Sequence, residues 1–252
     1  MITRPNFKIN LGLHIVSKRT DGFHELQTVF YPVHTLCDEL EINMIEKGVK
    51  LSVQNVDNLC ADEDNLCVKA FRLLQQHFDI DGVEIKLTKN IPFGAGLGGG
   101  SADAAFALKM YNELFQLQLS STELRNMAAQ LGSDTAFFIE NRPVYATGRG
   151  EIMTPMDLDL SAYKIEMIKP DFSISTKEAY ACVHPQQPAE NLDTLIRRPI
   201  NEWRYCIHND FEDSLFPKYP ALQKIKDDLY ARGAIYASMS GSGSAVYGIF
   251  RK

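Results

Sequence analysis

The stretch from Gly94 to Gly100 reads GAGLGGG, five glycines in seven residues, and runs directly into the helix-patterned segment SADAAFALKMYNELF. Glycine allows positive φ and lets backbone amides approach a ligand with no Cβ in the way. At a helix N-terminus, those amides and the helix dipole make an anion site that requires no side-chain cation. The chain carries a formal net charge of −6, so an anionic ligand needs local donors of this kind. The same charge argues against nucleic acid or an anionic membrane as partner. A flexible turn is the competing reading, but so much glycine before a strong helix is entropically costly without a ligand.

The spelling excludes the commonest phosphate loops. No GxxxxGK[ST] occurs. Gly94, Gly96 and Gly99 match GxGxxG, yet the region about 20 positions on, where a dinucleotide site needs a strand ending in an acidic residue, reads LQLSSTEL. There is no HRD-type loop, and Asp171-Phe172 leads to Ser173 rather than glycine, which removes the protein-kinase pattern.

Around the loop the pattern is mixed. Phe7, Ile9, Leu11, Leu13 and Ile15 alternate with Lys8, Asn10, Gly12, His14 and Val16, which predicts a half-buried strand with a polar second face. LQTVFYPV, ELEINMI, KGVKLSVQNV and VEIKLTKN read as further strands, and 64–78 as a helix capped by Asp64. SSTELRNMAAQLG opens with a capping box, Ser120 to Glu123, and closes on Gly132. The next segment, SDTAFFI, carries Asp134 near its start. TGRGE and the loose TPMDLDLSA after it suggest a boundary near residue 152, hence domains 1–152 and 153–252. The second half reads as strand YKIEMIKP, helix TKEAYACV, loop HPQQPAENL, helices NDFEDSLF and LQKIKDDLYARG, then a Gly/Ser loop and strand AVYGIF. Without strict βαβ alternation the expected class is α+β.

Cys37, Cys60, Cys67, Cys182 and Cys206 form no CxxC pair and have no histidines at zinc spacing, so free thiols in a reducing cytosol are expected. No residues are read as metal ligands. MITRPNFKIN has no apolar signal region, and no run approaches 18 apolar residues, so the expected location is cytoplasmic.

Pro92 to Ala105 spell PxGAGLGGGSxDAA, which resembles the ATP loop of the GHMP kinases. KINLGLHIVSKRTDGFHELQTVFYP, GSDTAFFI and SMSGSGSAVYGIF extend the resemblance across nearly the whole chain, in the order of the family's cytidine-specific branch. It implies a two-domain α+β GHMP kinase fold with the active site in the cleft between the domains. It also implies ATP as co-substrate, with Mg²⁺, and a small-molecule acceptor carrying a cytidine diphosphate group. The implied reaction is phosphorylation of the 2-hydroxyl of a diphosphocytidyl methylerythritol in isoprenoid precursor synthesis.

Residue by residue, the resemblance assigns Pro92, Phe93, Gly94, Ala95, Gly96, Leu97, Gly98, Gly99, Gly100, Ser101, Ala102 and Asp103 to ATP, with Asn65 at the adenosine end. Asp134 becomes the base; read alone it is equally a helix-end charge beside a capping Ser133. Lys8, alone a solvated strand residue, would keep Asp134 ionised and orient the acceptor, and Asn10 would hydrogen-bond the substrate. Phe23 would stack on cytosine where the family has tyrosine, and His24 would read the base edge. Thr176 and Tyr180 would close over the cytidine. Ala102 stands where the family has a second serine. The Gly241/Gly243 loop reads as a second phosphate support or a tight turn, and Asn209 with Glu212 as a helix cap. A homoserine- or mevalonate-type kinase is disfavoured by DGFH and the triple glycine, a silent nucleotide-binding protein by the presence of Lys8 and Asp134.

Overall fold

A computed structural model describes residues 1–56 and 61–252; Cys60 lies outside them, and Cys37, Cys182 and Cys206 are free thiols. The strands are β1 (Ile2–Thr3), β2 (Asn6–Lys18), β3 (His24–Cys37), β4 (Glu39–Ile45), β5 (Val49–Gln54), β6 (Gly82–Thr88), β7 (Val144–Gly148), β8 (Ile152–Pro155), β9 (Tyr163–Ile168), β10 (Tyr236–Met239) and β11 (Val246–Arg251). The helices are α1 (Leu66–Gln75), α2 (Gly99–Leu114), α3 (Ser121–Leu131), α4 (Phe137–Glu140), α5 (Thr176–Cys182), α6 (Leu192–Leu195), α7 (Trp203–Cys206), α8 (Phe211–Leu215) and α9 (Pro220–Ala231). Among the described residues, no helix is long and apolar enough to cross a membrane.

The chain folds as two compact units, one of residues 1–7, 34–93 and 98–141, the other of 8–33, 94–97 and 142–252. A single cut near residue 152 does not produce them, because β2, β3 and the glycine loop each pass from one unit to the other. Composition shifts along a chain cannot register that kind of crossing.

The first unit is a sheet of order β1-β4-β6-β5 covered by helices. β4 runs antiparallel to β6, whereas β5 runs parallel to it, with α1 in the intervening crossover. Leu40, Ile42, Val83, Ile85 and Leu87 are buried, as are Phe71, Leu74, Ala104, Leu108 and Tyr111 of α1 and α2. Phe71 meets Tyr111 edge-on at 5.4 Å. A single turn at Asp62–Asp64 precedes α1, and the cap is Asn65 rather than Asp64: its Oδ1 accepts the Cys67 N–H at 2.9 Å. The Ser120–Glu123 capping box of α3 forms as expected.

Beneath the start of α2 lies a buried ion cluster. Lys89 Nζ donates to Asp38 Oδ2 and, at 2.6 Å, to Asp103 Oδ2, with all three residues buried. Asp38 Oδ1 accepts the Asn90 and Ile91 N–H groups at 2.6 and 2.8 Å. The end of β6, the entry to the glycine loop and the first turn of α2 are thereby tied to one lysine. Desolvation raises Asp103 to about 7 against the pull of Lys89. Burial alone would lower Lys89, but Asp103 and Asp38 outweigh it and raise its pKa.

The second unit holds a sheet of order β2-β3-β7-β8 and another of order β10-β11-β9, with α9 packed on β10 and β11. Leu13, Ile15, Phe211, Leu215, Leu222, Leu229, Met239 and Val246 share one core. The expected polar face of β2 is not solvated: Lys8, Asn10 and His14 are 3%, 2% and 4% exposed. Later segments of the same unit cover it. Asn10 bonds Thr28, His14 meets Asp210, and a Cβ on Gly12 would lie 2.8 Å from Ile207 and Leu192 carbons. The alternation was real, but both faces of the strand are interior.

The Asp103 shift has a consequence for stability. Between the ordinary carboxylate range and about pH 7, the folded chain holds a proton that the unfolded chain releases. Its contribution is complete at low pH and declines as pH rises through this window. Asp103→Asn should flatten that decline, by up to about one proton in the linkage slope, in urea titrations at a series of pH values. An unchanged slope would place the titration elsewhere.

Candidate active site

The glycine loop owes its shape to alternation of a second kind. Gly94, Gly96 and Gly98 have φ of +65°, +74° and +71°, values that L side chains rarely adopt. Gly98 is the left-handed residue just before α2, and Gly99 and Gly100 open the helix. Successive amides are thus presented beside a helix N-terminus that lacks acidic residues in its first turn, the arrangement that receives phosphate.

In the second unit the 94–97 segment is clamped on its back by the C-terminal Gly/Ser loop. Ser240 Oγ donates to Gly96 O at 3.1 Å, Ala245 N–H to Ala95 O at 3.2 Å, and Lys8 N–H to Leu97 O at 3.0 Å. A Cβ on Gly96 would lie 2.1 Å from the Ser240 carbonyl oxygen. The two loops therefore pack backbone to backbone. Asn209 does more than cap α8: besides accepting the Phe211 N–H at 3.1 Å, its Nδ2 donates to Met239 O and Gly241 O at 2.9 and 2.8 Å. Glu212 accepts the Met239 N–H at 2.7 Å. The Gly241 loop thus backs the 94–97 segment.

β2 leads into the same neighbourhood of that unit. Lys8 Nζ donates to Asn10 Oδ1 at 2.6 Å and lies 4.8 Å from the Phe30 ring centre. Asn10 Nδ2 donates to Thr28 Oγ1 at 2.8 Å, and Thr28 in turn donates to Gly12 O at 2.6 Å. Since the Thr28 hydroxyl has one hydrogen, it must accept from Asn10, so the amide presents its oxygen to Lys8. Tyr247 OH holds Asn10 O at 2.7 Å. Thr28, Tyr247 and Ser240 lie far from the loop in sequence, within segments quoted above but with no role assigned to them there.

In the first unit the GSD turn packs on the start of α2: a Cβ on Gly132 would sit 3.8 Å from Ser101 Oγ and 3.1 Å from Thr135 Oγ1. Asp134 lies in this turn, partly buried. Ser133 caps nothing, since α4 begins at Phe137 and has no side-chain cap. Lys109 of α2 donates to Phe138 O and Ile139 O at 3.0 and 3.4 Å, and burial pushes its pKa down to about 8. That lysine, invisible to motif reading, fixes α4 and the turn before it against α2.

Some sequence assignments turn inward. Ala102 and Asp103 are buried, and Asp103 Oδ2 is committed to Lys89, because the second helical turn faces the sheet. Asn65 spends its side-chain oxygen on the α1 cap. Ala95 and Leu97 are also buried, while Phe93 is exposed.

The residues expected to recognise a base lie in the second unit. His24 stacks on Tyr180 with ring centres 4.8 Å apart, and Tyr180 meets Phe211 edge-on. Burial lowers the His24 pKa, favouring the neutral ring that both donates and accepts. Phe23 is 53% exposed, and one face carries the Arg149 guanidinium at 4.7 Å. Glu25 joins these turns, accepting from the Gly148 N–H at 2.9 Å and from Arg19 at 2.8 Å. Thr176 Oγ1 lies 3.4 Å from Ser242 Oγ. Arg149 escaped the sequence reading because its partner is 126 positions away.

A glycine-lined helix start with a carboxylate-bearing turn against it is an arrangement suited to a bound phosphate. Residues 65–142 match the GHMP kinases N terminal domain, and residues 191–252 match the GHMP kinases C terminal domain. The chain belongs to the GHMP kinase family of ATP-dependent small-molecule kinases and has its α+β fold. The 4-diphosphocytidyl-2-C-methyl-D-erythritol kinase of Bacteroides thetaiotaomicron is 53% identical to it over 253 residues, covering 99% of this chain and 92% of that relative. A crystal structure of 4-(cytidine 5'-diphospho)-2C-methyl-D-erythritol kinase matches with a TM-score of 0.86 at 31% identity, covering 99% and 90%. The homoserine kinase of Cytophaga hutchinsonii matches with a TM-score of 0.73 at 19% identity, covering 98% and 85%, a likeness of fold alone.

Gly96→Ala should weaken binding of a non-hydrolysable ATP analogue by about tenfold or more, roughly 1.4 kcal/mol, in calorimetric titration. Gly22→Ala is the control: it also has positive φ, +85°, but its Cβ meets nothing within 4 Å. Equal affinities in the two variants would mean that the contact with Ser240 does not shape the nucleotide site.

Proposed function

We propose that the protein transfers the γ-phosphoryl group of ATP to the 2-hydroxyl of 4-diphosphocytidyl-2-C-methyl-D-erythritol, in the cytoplasm, as a step of isoprenoid precursor synthesis. The observation that carries the chemistry is the GSD turn packed on the first turn of α2, beside the glycine amides. The identity of the acceptor is supported by the relatives of that name and by the gathering of Phe23, His24 and Tyr180.

In this reading the amides of residues 94–100 cradle the ATP phosphates and the α2 dipole favours their charge. Asp134 accepts the proton of the acceptor hydroxyl as the new O–P bond forms and ADP departs. In a loose transition state that proton leaves late, so a carboxylate suffices as base. Lys8, oriented through Asn10, steadies the acceptor oxygen. The Ser101 hydroxyl, at the start of α2 against the GSD turn, would help hold magnesium, which would neutralise charge on the transferring group. Asp103 is not available for that role, because Lys89 holds its carboxylate in the interior. At the far end of the substrate, Phe23 stacks on cytosine with the face opposite Arg149, and neutral His24 reads the base edge.

Asp134→Asn should lower kcat by roughly 10²–10⁴-fold, about 3–5 kcal/mol, while ATP-analogue affinity stays within a few-fold. Turnover close to wild type would reduce Asp134 to a structural charge.

Remote contacts orient a substrate, so their loss reduces kcat as well as affinity. Phe23→Ala should cut kcat/KM by about 5–150-fold, corresponding to roughly 1–3 kcal/mol of stacking, and Phe23→Tyr should keep it. Free methylerythritol should be a very poor acceptor. If homoserine or free methylerythritol matches the cytidine substrate, the assigned acceptor is wrong and the kinase class stands.

A further inference from the structure

Outside the residues assigned above to ATP and the acceptor, His14, His208 and Asp210 bring one ligand atom each to within 4.8 Å of one another. Leu13 N–H donates to His208 O at 3.0 Å and Asp210 N–H to Leu13 O at 2.9 Å. The 208–210 segment thus lies alongside β2, bridged at Leu13 and Asn209. His14 and His208 both reach Asp210 Oδ1, so the three side chains face one another.

Both spacings from Asp210 suit a metal ion. Asp210 Oδ1 lies 3.3 Å from His14 Nδ1 and 3.0 Å from His208 Nε2. Ligand atoms about 2.0–2.1 Å from a tetrahedral zinc ion stand roughly 3.3 Å apart. The second carboxylate oxygen, Oδ2, accepts the Ile15 N–H at 2.7 Å, an outer contact of the kind that orients a ligating carboxylate. His14 is 4% exposed, and its Nε2 has no hydrogen-bond partner. Its Nδ1, the nitrogen that faces Asp210, is held by no backbone group and is available as a ligand. A cavity of about 450 Å³ lined by all three residues and by Gln186 and Cys206 gives access and room for a water ligand. Arg198 also lines it, but is paired with Glu190 at 2.5 Å.

We propose that His14, His208 and Asp210 form a binding site for a divalent transition-metal ion, best suited to zinc, that pins the 208–210 segment to β2. Two histidine nitrogens and one carboxylate are borderline donors, which favour zinc over magnesium or calcium. The site is distinct from the magnesium that accompanies ATP. Asn209, between two of the ligands, holds the Gly241 loop, so the ion stiffens the support of the phosphate loop.

The test uses the full chain, stripped with EDTA and dialysed, titrated with Zn²⁺ by calorimetry and with Co²⁺ by visible absorption, with melting temperature followed in parallel. The expected result is one Zn²⁺ per chain, a Co²⁺ spectrum typical of nitrogen and oxygen ligands, and a melting temperature raised by zinc. His208→Gln, at a half-exposed ring, should keep its metal-free melting temperature. It should weaken zinc binding by at least about tenfold and abolish the zinc-induced rise. Cys206→Ser should bind as wild type does. No saturable binding, or undiminished binding by His208→Gln, would overturn the proposal and leave a hydrogen-bonded His–Asp–His group.

Discussion

The contact between Gly96 and the Ser240 carbonyl, where a Cβ would lie at 2.1 Å, sets the terms for much of the second unit. Two loops from distant parts of the chain meet there through their main chains, and each consumes the other's polar groups. The glycine loop accepts from Ser240 and Ala245 through the carbonyls of Gly96 and Ala95. Nothing with a side chain at position 96 can be seated this way. The positive φ values at alternate glycines are the local expression of that packing.

Behind the loops lies a layer of buried polar groups that work by committing one another. Asn209 and Glu212 hold the Gly241 loop, and Thr28 fixes the amide of Asn10, which receives Lys8. Each is almost fully enclosed, so a missing partner would leave a desolvated group at a cost of about 1–3 kcal/mol. That penalty selects one orientation for each side chain and is why the site can be rigid without being apolar.

An acidic chain that uses ATP has to limit how many carboxylates face the phosphates. In the first unit this is done by sequestration: Asp38 and Asp103 share Lys89 beneath the helix start, and no acidic side chain stands in the first turn of α2. The electrostatics at the loop are then governed by amides and the helix dipole rather than by net charge.

The local features were legible from residues alone: the glycine loop and its helix, the capping box of α3, strands β4, β6, β9 and β11, and the DGFH, GSD and SGSG segments. Each depends on a period, a cap or a backbone conformation that neighbouring residues dictate. The sequence could not show that β2 is interior on both faces, because its polar side is covered by residues near 28 and 192–210. Nor could it show that Asp103 turns inward, or that two discontinuous units share strands and loop. Lys109, Arg149 and Asp210 were missed for the same reason: their partners lie about 29, 126 and 196 positions away. Propensity and pattern act along the chain, whereas burial and charge pairing act across space, so the sequence determined the elements and the motifs. Only the tertiary structure decided which polar groups became a site and which became its foundations.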